Sequence, residues 1–311
     1  MIRPEYLKQG DKIGVVAPAR KVKPEEIAYG IEQLRNAGFE VVEGKYLYGD
    51  FHQFSGTDNE RAADMQHMID DNSVKAIMCA RGGYGCVRIV DDIDWHPLMD
   101  NPKWIIGFSD ITVFHNHIHQ LLGMESIHAN MLVNFKKENF IQDAFDSLIS
   151  AITGQALAYE WQTGEANKPL NRDGEMTAEF VGGNLSMLHT LSGTGSDLET
   201  IGKMLFIEDL EEYLYHIDRM MLNMKRSGKL ENIAALVVGA MNKMNDNAIP
   251  FGKTAEQIIA EHAALAGCPV VFDFPAGHIE NNMALILGRE ATITIGEINT
   301  LQFLPSEDDG E

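Results

Sequence analysis

Four short segments hold the residue types that hydrolytic chemistry uses. Gly107-Phe108-Ser109-Asp110 stands at the joint between an apolar run, Trp104 to Phe108, and a helical pattern from Ile111 to Leu122. A sharp strand-to-helix turn lifts a serine hydroxyl out of the sheet. Backbone N–H groups beside it, with the helix N-terminus, can then stabilise an oxyanion. The match to the hydrolase pattern G-x-S-x-G is partial, since Ile111 occupies the place of the second glycine. Serine is also a favoured helix N-cap, and the local sequence alone favours that reading.

Ala80-Arg81-Gly82-Gly83-Tyr84-Gly85 likewise follows an apolar run and precedes a helical stretch. Glycines there let backbone N–H groups approach a ligand. The loop lacks the Gly-Lys-Ser/Thr of a Walker loop and the G-x-G-x-x-G spacing of a dinucleotide site, and a plain tight turn is the bland alternative. Phe206-Ile207-Glu208-Asp209 puts acids at the end of an apolar strand, where a carboxylate can orient a histidine and stabilise its imidazolium. Asp209, Glu211 and Glu212 read instead as a solvated strand end. Phe274-Pro275-Ala276-Gly277-His278 offers a loop histidine as general base, against the plain alternative of a surface histidine.

His115, His117 and His119 invite a zinc reading. On a helix only His115 and His119 share a face, and no H-E-x-x-H motif accompanies them, so no metal is expected. Cys79 lies in an apolar run, which argues against a cysteine nucleophile.

These groups need a scaffold. Apolar runs at Lys12–Ala17, Phe39–Val42, Val74–Ala80 and Trp104–Phe108 alternate with helical patterns at Pro24–Ala37, Asp58–Asp71, Tyr84–Asp92 and Ile111–Leu122. That rhythm predicts a parallel sheet with helices on both faces, and its carboxyl edge is where ligands bind. Further helical patterns cover Phe140–Thr153 and Leu185–Leu191, with pieces near 213–227 and 254–265. Short strand-like runs follow at Met204–Ile207, Ala235–Val238, Val270–Phe272, Ala284–Leu287 and Thr292–Ile295. The polar stretch Gln155–Glu175 reads as irregular, giving an N-terminal domain over 1–155, a linker over 156–175 and a mixed C-terminal domain over 176–311, with a cleft between.

Net charge is −21, from 25 Lys and Arg against 46 Asp and Glu, a surface that repels nucleic acid and anionic membrane. No secretory signal and no run long enough to span a membrane is visible, and three cysteines make no disulfide framework, so a cytoplasmic location is expected. The acidic end Ser306–Glu311 is expected to be disordered.

Taken together, the motifs resemble the LD-carboxypeptidase family of serine peptidases, which includes muramoyltetrapeptide carboxypeptidases and microcin C immunity peptidases. The resemblance runs from Ile13-Gly14-Val15-Val16-Ala17-Pro18 through the Arg81–Gly85 loop, Gly107-Phe108-Ser109-Asp110-Ile111-Thr112 and Gly182-Gly183-Asn184-Leu185. It ends with Leu205-Phe206-Ile207-Glu208-Asp209, Ile217-Asp218-Arg219 and Gly277-His278. It implies a flavodoxin-like α/β domain joined to a C-terminal domain with a barrel-like sheet, as a homodimer without metal or organic cofactor. It implies Ser109 as nucleophile, Glu208 as acid and His278 as base. Backbone N–H groups of Asp110, Gly82 and Gly83 match the oxyanion hole. Arg81, Tyr84 and Asn184 are the expected substrate-binding residues.

The implied reaction releases D-Ala from a murein tetrapeptide during cell-wall recycling. The sequence departs from the family at Ala19-Arg20, where a small Ser-Gly pair is usual, and at His128-Ala129-Asn130-Met131, where His-Gly-Pro-Met is common. The stretch before His278 also differs from the commoner glycine-rich form, and these departures concern the substrate pocket. One rival is a microcin-immunity-type peptidase acting on peptidyl or aminoacyl nucleotides, with Trp161 as a platform for the base. Another is a non-catalytic nucleotide- or flavin-binding protein.

Overall fold

The computed structural model describes residues 1–304, so the acidic end expected to be disordered lies outside the described residues. Five strands, β1 (Lys12–Val16), β2 (Glu40–Glu43), β3 (Val74–Cys79), β4 (Trp104–Gly107) and β5 (Ser126–His128), pair in parallel in the order 2-1-3-4-5. That is one of the two common doubly wound orders. Helices α1 (Pro24–Asn36), α2 (Asp58–Asp70), α3 (Pro97–Asp100), α4 (Thr112–Leu122) and α5 (Gln142–Thr153) connect and flank them.

Alternation decides the faces. Ile13 and Val15, Ala76 and Met78, and Trp104 and Ile106 pack with α1 and α5. Val16, Ile77, Cys79 and Ile105 pack with α2 and α4. A sheet covered on both faces needs continuous apolar strands, which is why these runs were visible in the sequence. Helix ends follow local signals: α1 opens with a proline, α2 with a Thr57–Glu60 capping box, and α4 stops at left-handed Gly123.

The second sheet contains β6 (Ala158–Trp161), β7 (Gly174–Asn184), β8 (Met204–Leu210), β9 (Ala235–Asn242), β10 (Val270–Val271), β12 (Glu290–Ile295) and β13 (Asn299–Phe303), in the order 10-9-8-7-12-13-6. Helices α6 (Leu185–Leu191), α7 (Leu214–Arg226) and α8 (Ala255–Ala263) pack on one side of it. The long strand β7 serves two ladders. Its first half pairs antiparallel with β12, its second half parallel with β8.

The barrel-like expectation resolves into a curled open sheet. Its end strands approach, with Trp161 Nε1 donating to Phe272 O at 3.1 Å, but no ladder joins β6 to β10. The stretch expected to be an irregular linker contains β6, because Tyr159 and Trp161 alternate inward between polar neighbours. The expected helix at Tyr84–Asp92 is two separate 3₁₀ turns.

The remaining strand, β11 (Leu285–Leu287), crosses back and pairs antiparallel with β5, at the edge of the first sheet. The loop carrying His278 therefore runs from the second sheet to the first. No described helix is long and apolar enough to cross a membrane.

Candidate active site

Ser109 follows β4 directly. Its φ is +63°, in the left-handed region, which costs a non-glycine residue of the order of 1–2 kcal/mol. Neighbouring bonds hold it there: Ile111 N–H donates to Phe108 O at 3.2 Å, and His115 Nε2 lies 2.9 Å from Gly107 O. The residue before the 3₁₀ turn Ser109–Ile111 is Phe108, and no side chain caps it. The serine hydroxyl is thus released from the capping role that the local sequence favoured. It lies 3.1 Å from His278 Nε2 instead.

His278 Nδ1 lies 2.7 Å from Glu208 Oε2. A carboxylate can only accept, so it fixes the proton on Nδ1 and leaves Nε2 to accept from the serine. Glu208 is fully buried, and strand alternation explains its aim. Leu205 and Ile207 of β8 point into the core under α6, α7 and α8, whereas Met204 and Phe206 pack with the first half of the chain. Glu208 continues the second set.

Asn184, the last residue of β7, holds this arrangement from behind. Its Nδ2 donates to Glu208 Oε1 at 3.2 Å and Asp209 Oδ1 at 3.0 Å, and its Oδ1 caps α6 by accepting from Met187 N at 3.3 Å. Its backbone N–H donates to Thr112 Oγ1 at 3.1 Å, in the first turn of the helix that follows Ser109. One residue so ties the acid's strand to the serine's helix.

Burial opposes charge on His278, but the Glu208 carboxylate and its hydrogen bond, with Asp209 and Glu211 nearby, prevail and raise its pKa above the ordinary 6.5. Burial likewise works against the Glu208 charge. His278, His128 and Asn184 outweigh it and hold its pKa below the usual range. Asp209 is pushed up to about 7 by burial and by the Glu208 charge. Its expected exposure is corrected: it is buried, under Ser186 N–H at 2.9 Å. His128 is fully buried beneath Phe108 and Phe206, and burial lowers its pKa to about 4.

The glycine loop faces the serine. A Cβ on Gly82 would lie 3.3 Å from Ser109 Cβ and 3.4 Å from Asp110 N. The N–H groups of Gly82 and Gly83 have no hydrogen-bond partner among the described residues. Asp110 braces the loop: its buried carboxylate accepts from Cys86 N at 2.8 Å, and burial raises its pKa. Buried Arg61 holds the other side, donating to Pro18 O and to Gly85 O at 3.0 Å. Two cavities of about 440 Å³ each meet at Phe108, Asn134, Leu210 and His278. The first also exposes Ser109, Gly82 and Gly83.

Residues 13–129 match the LD-carboxypeptidase N-terminal domain, and residues 177–293 the LD-carboxypeptidase C-terminal domain. The chain is 34% identical over 302 residues to a probable murein peptide carboxypeptidase of Bacillus subtilis strain 168, covering 95% of this chain and 92% of that one. The chain belongs to the LD-carboxypeptidase family.

Among solved structures, muramoyltetrapeptide carboxypeptidase from Oxalobacter formigenes superposes with a TM-score of 0.84 at 26% identity, covering 94% of this chain and 98% of that one. The microcin C7 self immunity protein MccF shares the fold, with a TM-score of 0.86 at 21% identity over 97% of this chain and 98% of its own.

In this member of the family the structure brings Ser109, His278, Glu208, Asn184, Asp110, Gly82 and Gly83 to one place. Arg81 lines the same cavity, ion-paired with Glu26 at 3.5 Å. Tyr84 lies elsewhere, 42% exposed and tilted against Phe54. Trp161 is buried, bonded to Phe272 O and set edge-on to Phe274, so it offers no platform in either cavity. The rings of His115 and His119 have separate partners, Gly107 O for one and Lys203 with Glu179 for the other. Sequence reasoning missed Asn134, Ser186 and Met187, all lining the first cavity. Arg20 and Met131, which line it too, were signalled only by the departures at Ala19-Arg20 and His128-Ala129-Asn130-Met131.

Proposed function

We propose that the protein is a serine carboxypeptidase that hydrolyses an L,D-peptide bond and releases terminal D-Ala from a murein tetrapeptide. The carrying observation is the hydrogen-bonded series Ser109–His278–Glu208 beside the Gly82–Gly83 loop, in a chain of this family. The reading extends, as the resemblance implies, to a flavodoxin-like nucleophile domain, a homodimer and cell-wall recycling in the cytoplasm.

In the proposed reaction His278 Nε2 takes the Ser109 proton as the oxygen attacks the scissile carbonyl. Glu208 stabilises the imidazolium that forms. N–H groups of Gly82, Gly83 and Asp110 hold the tetrahedral oxyanion, each such donor being worth roughly 3 kcal/mol. His278 returns the proton to the leaving amine of D-Ala. Water then attacks the acyl-enzyme, deprotonated by the same nitrogen, and Ser109 recovers its proton as the shortened peptide leaves. No step needs a metal or a cofactor.

The test is D-Ala release from tetrapeptide. Ser109→Ala is expected to cut turnover by roughly 10⁴-fold or more and to abolish labelling by a fluorophosphonate. Full turnover in Ser109→Ala refutes the assignment.

A further inference from the structure

A carboxypeptidase must recognise a free terminal carboxylate one residue beyond the bond it cuts. We propose that Arg20 supplies this recognition and sets specificity for a free C-terminal acid; the assignment rests on the carboxypeptidase reading above.

Two arginines line the cavity that exposes Ser109, namely Arg20 and Arg81. Arg81 is engaged with Glu26 at 3.5 Å. Arg20 is exposed and makes no side-chain hydrogen bond or ion pair among the described residues. A guanidinium with its donors unspent is the group of choice for bidentate binding of a carboxylate.

Its position fits the task. Arg20 stands just beyond β1, at the carboxyl edge of the parallel sheet. Its backbone is fixed at two points, donating N–H to Gly82 O at 3.3 Å and bridging to Phe54. Its side chain lies over the oxyanion loop: a Cβ on Gly83 would fall 2.6 Å from Arg20 Cδ and 3.0 Å from Nε. Gly83 adjoins Gly82, whose own neighbour is Ser109 Cβ. Arg20 and Ser109 thus neighbour adjacent residues of one loop and line the same cavity, so both can face one bound peptide end. Longer substrates with an internal residue at that place would meet an unpaired cation without their charge to satisfy it.

The experiment compares a tetrapeptide ending in D-Ala with the same peptide ending in D-Ala amide, for wild type, Arg20→Gln and Arg81→Gln. Wild type is expected to prefer the acid, and Arg20→Gln to reduce that preference by about 10–100-fold, through KM for the acid. Arg20→Lys is expected to restore part of it. An acid preference kept in Arg20→Gln, or lost only in Arg81→Gln, overturns the assignment while leaving the carboxypeptidase reading in place. Failure of wild type to release D-Ala from the acid overturns that reading and this assignment with it.

Discussion

At the scale of single residues, His278 is the group on which the proposed proton transfers turn. It accepts the serine proton only when uncharged, and its surroundings favour the charged form. Activity is therefore expected to rise with pH through a midpoint above the ordinary 6.5, since the base must first lose its own proton. Glu208→Gln removes the nearest carboxylate, so it is expected to lower that midpoint and to cut kcat by roughly 10³–10⁴-fold. The check is kcat/KM for D-Ala release across pH; a midpoint that stays put in Glu208→Gln contradicts the electrostatic account. Ser109, Glu208 and His278, which the structure brings together, were singled out because each ends or follows an apolar run, but their joint assignment came from the resemblance, since each local context alone favoured a plainer role. Asp209 was misread because nothing in a linear stretch of acids says that Asn184 and the first turn of α6 cover it. Arg20 was seen only as a departure from a pattern, since its meaning depends on a loop sixty residues away in the chain.

At the scale of elements, the long helices and the strands buried on both faces were visible, and their boundaries held to within a few residues. The strands that were missed, β5, β6, β7 and β13, are short, half-exposed or glycine-bearing, and their partners define them more than their composition does. Side chains far along the chain also finish elements. Lys103, fully buried just before β4, donates to the carbonyls of Met68 at 2.7 Å, Ile69 at 2.6 Å and Asp71 at 2.6 Å. It closes the C-terminal end of α2 from outside that helix. Burial lowers its pKa to about 8, so near pH 7 it remains mostly charged and able to donate all three bonds. Lys103→Met keeps most of the apolar stem of the side chain and removes every donor. The loss of stability is expected to be about 2–4 kcal/mol, read by urea unfolding. Unfolding midpoints that coincide with wild type would show that water replaces the ammonium without cost.

At the scale of the whole molecule, one strand crosses the division into halves in chain order: β11 pairs with β5 of the first sheet. The crossing of β11 into the first sheet could not be read from a three-residue apolar run. A buried ion pair secures it. Arg289, two residues beyond β11, meets Glu125, just before β5, through Nε to Oε1 at 3.2 Å and Nη2 to Oε2 at 2.5 Å. Its Nη1 reaches Tyr6 Oη at 2.9 Å, so the N-terminal segment joins the same cluster. Arg289→Met leaves a buried carboxylate alone and is expected to cost about 3–5 kcal/mol; adding Glu125→Leu is expected to recover much of it. Equal unfolding free energies for the single and double variants would deny that coupling.

The late return of β11 also orders events in time. A chain emerging from the ribosome can assemble five strands and display its serine long before the histidine exists. At that stage the proposed nucleophile lacks its proposed base, and the sheet has an unpaired edge at β5. Only when residues 278–287 have emerged can one movement seal the edge and deliver the imidazole. On the proposed mechanism a nascent chain is therefore expected to be inert toward peptides, and so long-range a closure is expected to be slow, leaving the open edge exposed to other chains meanwhile.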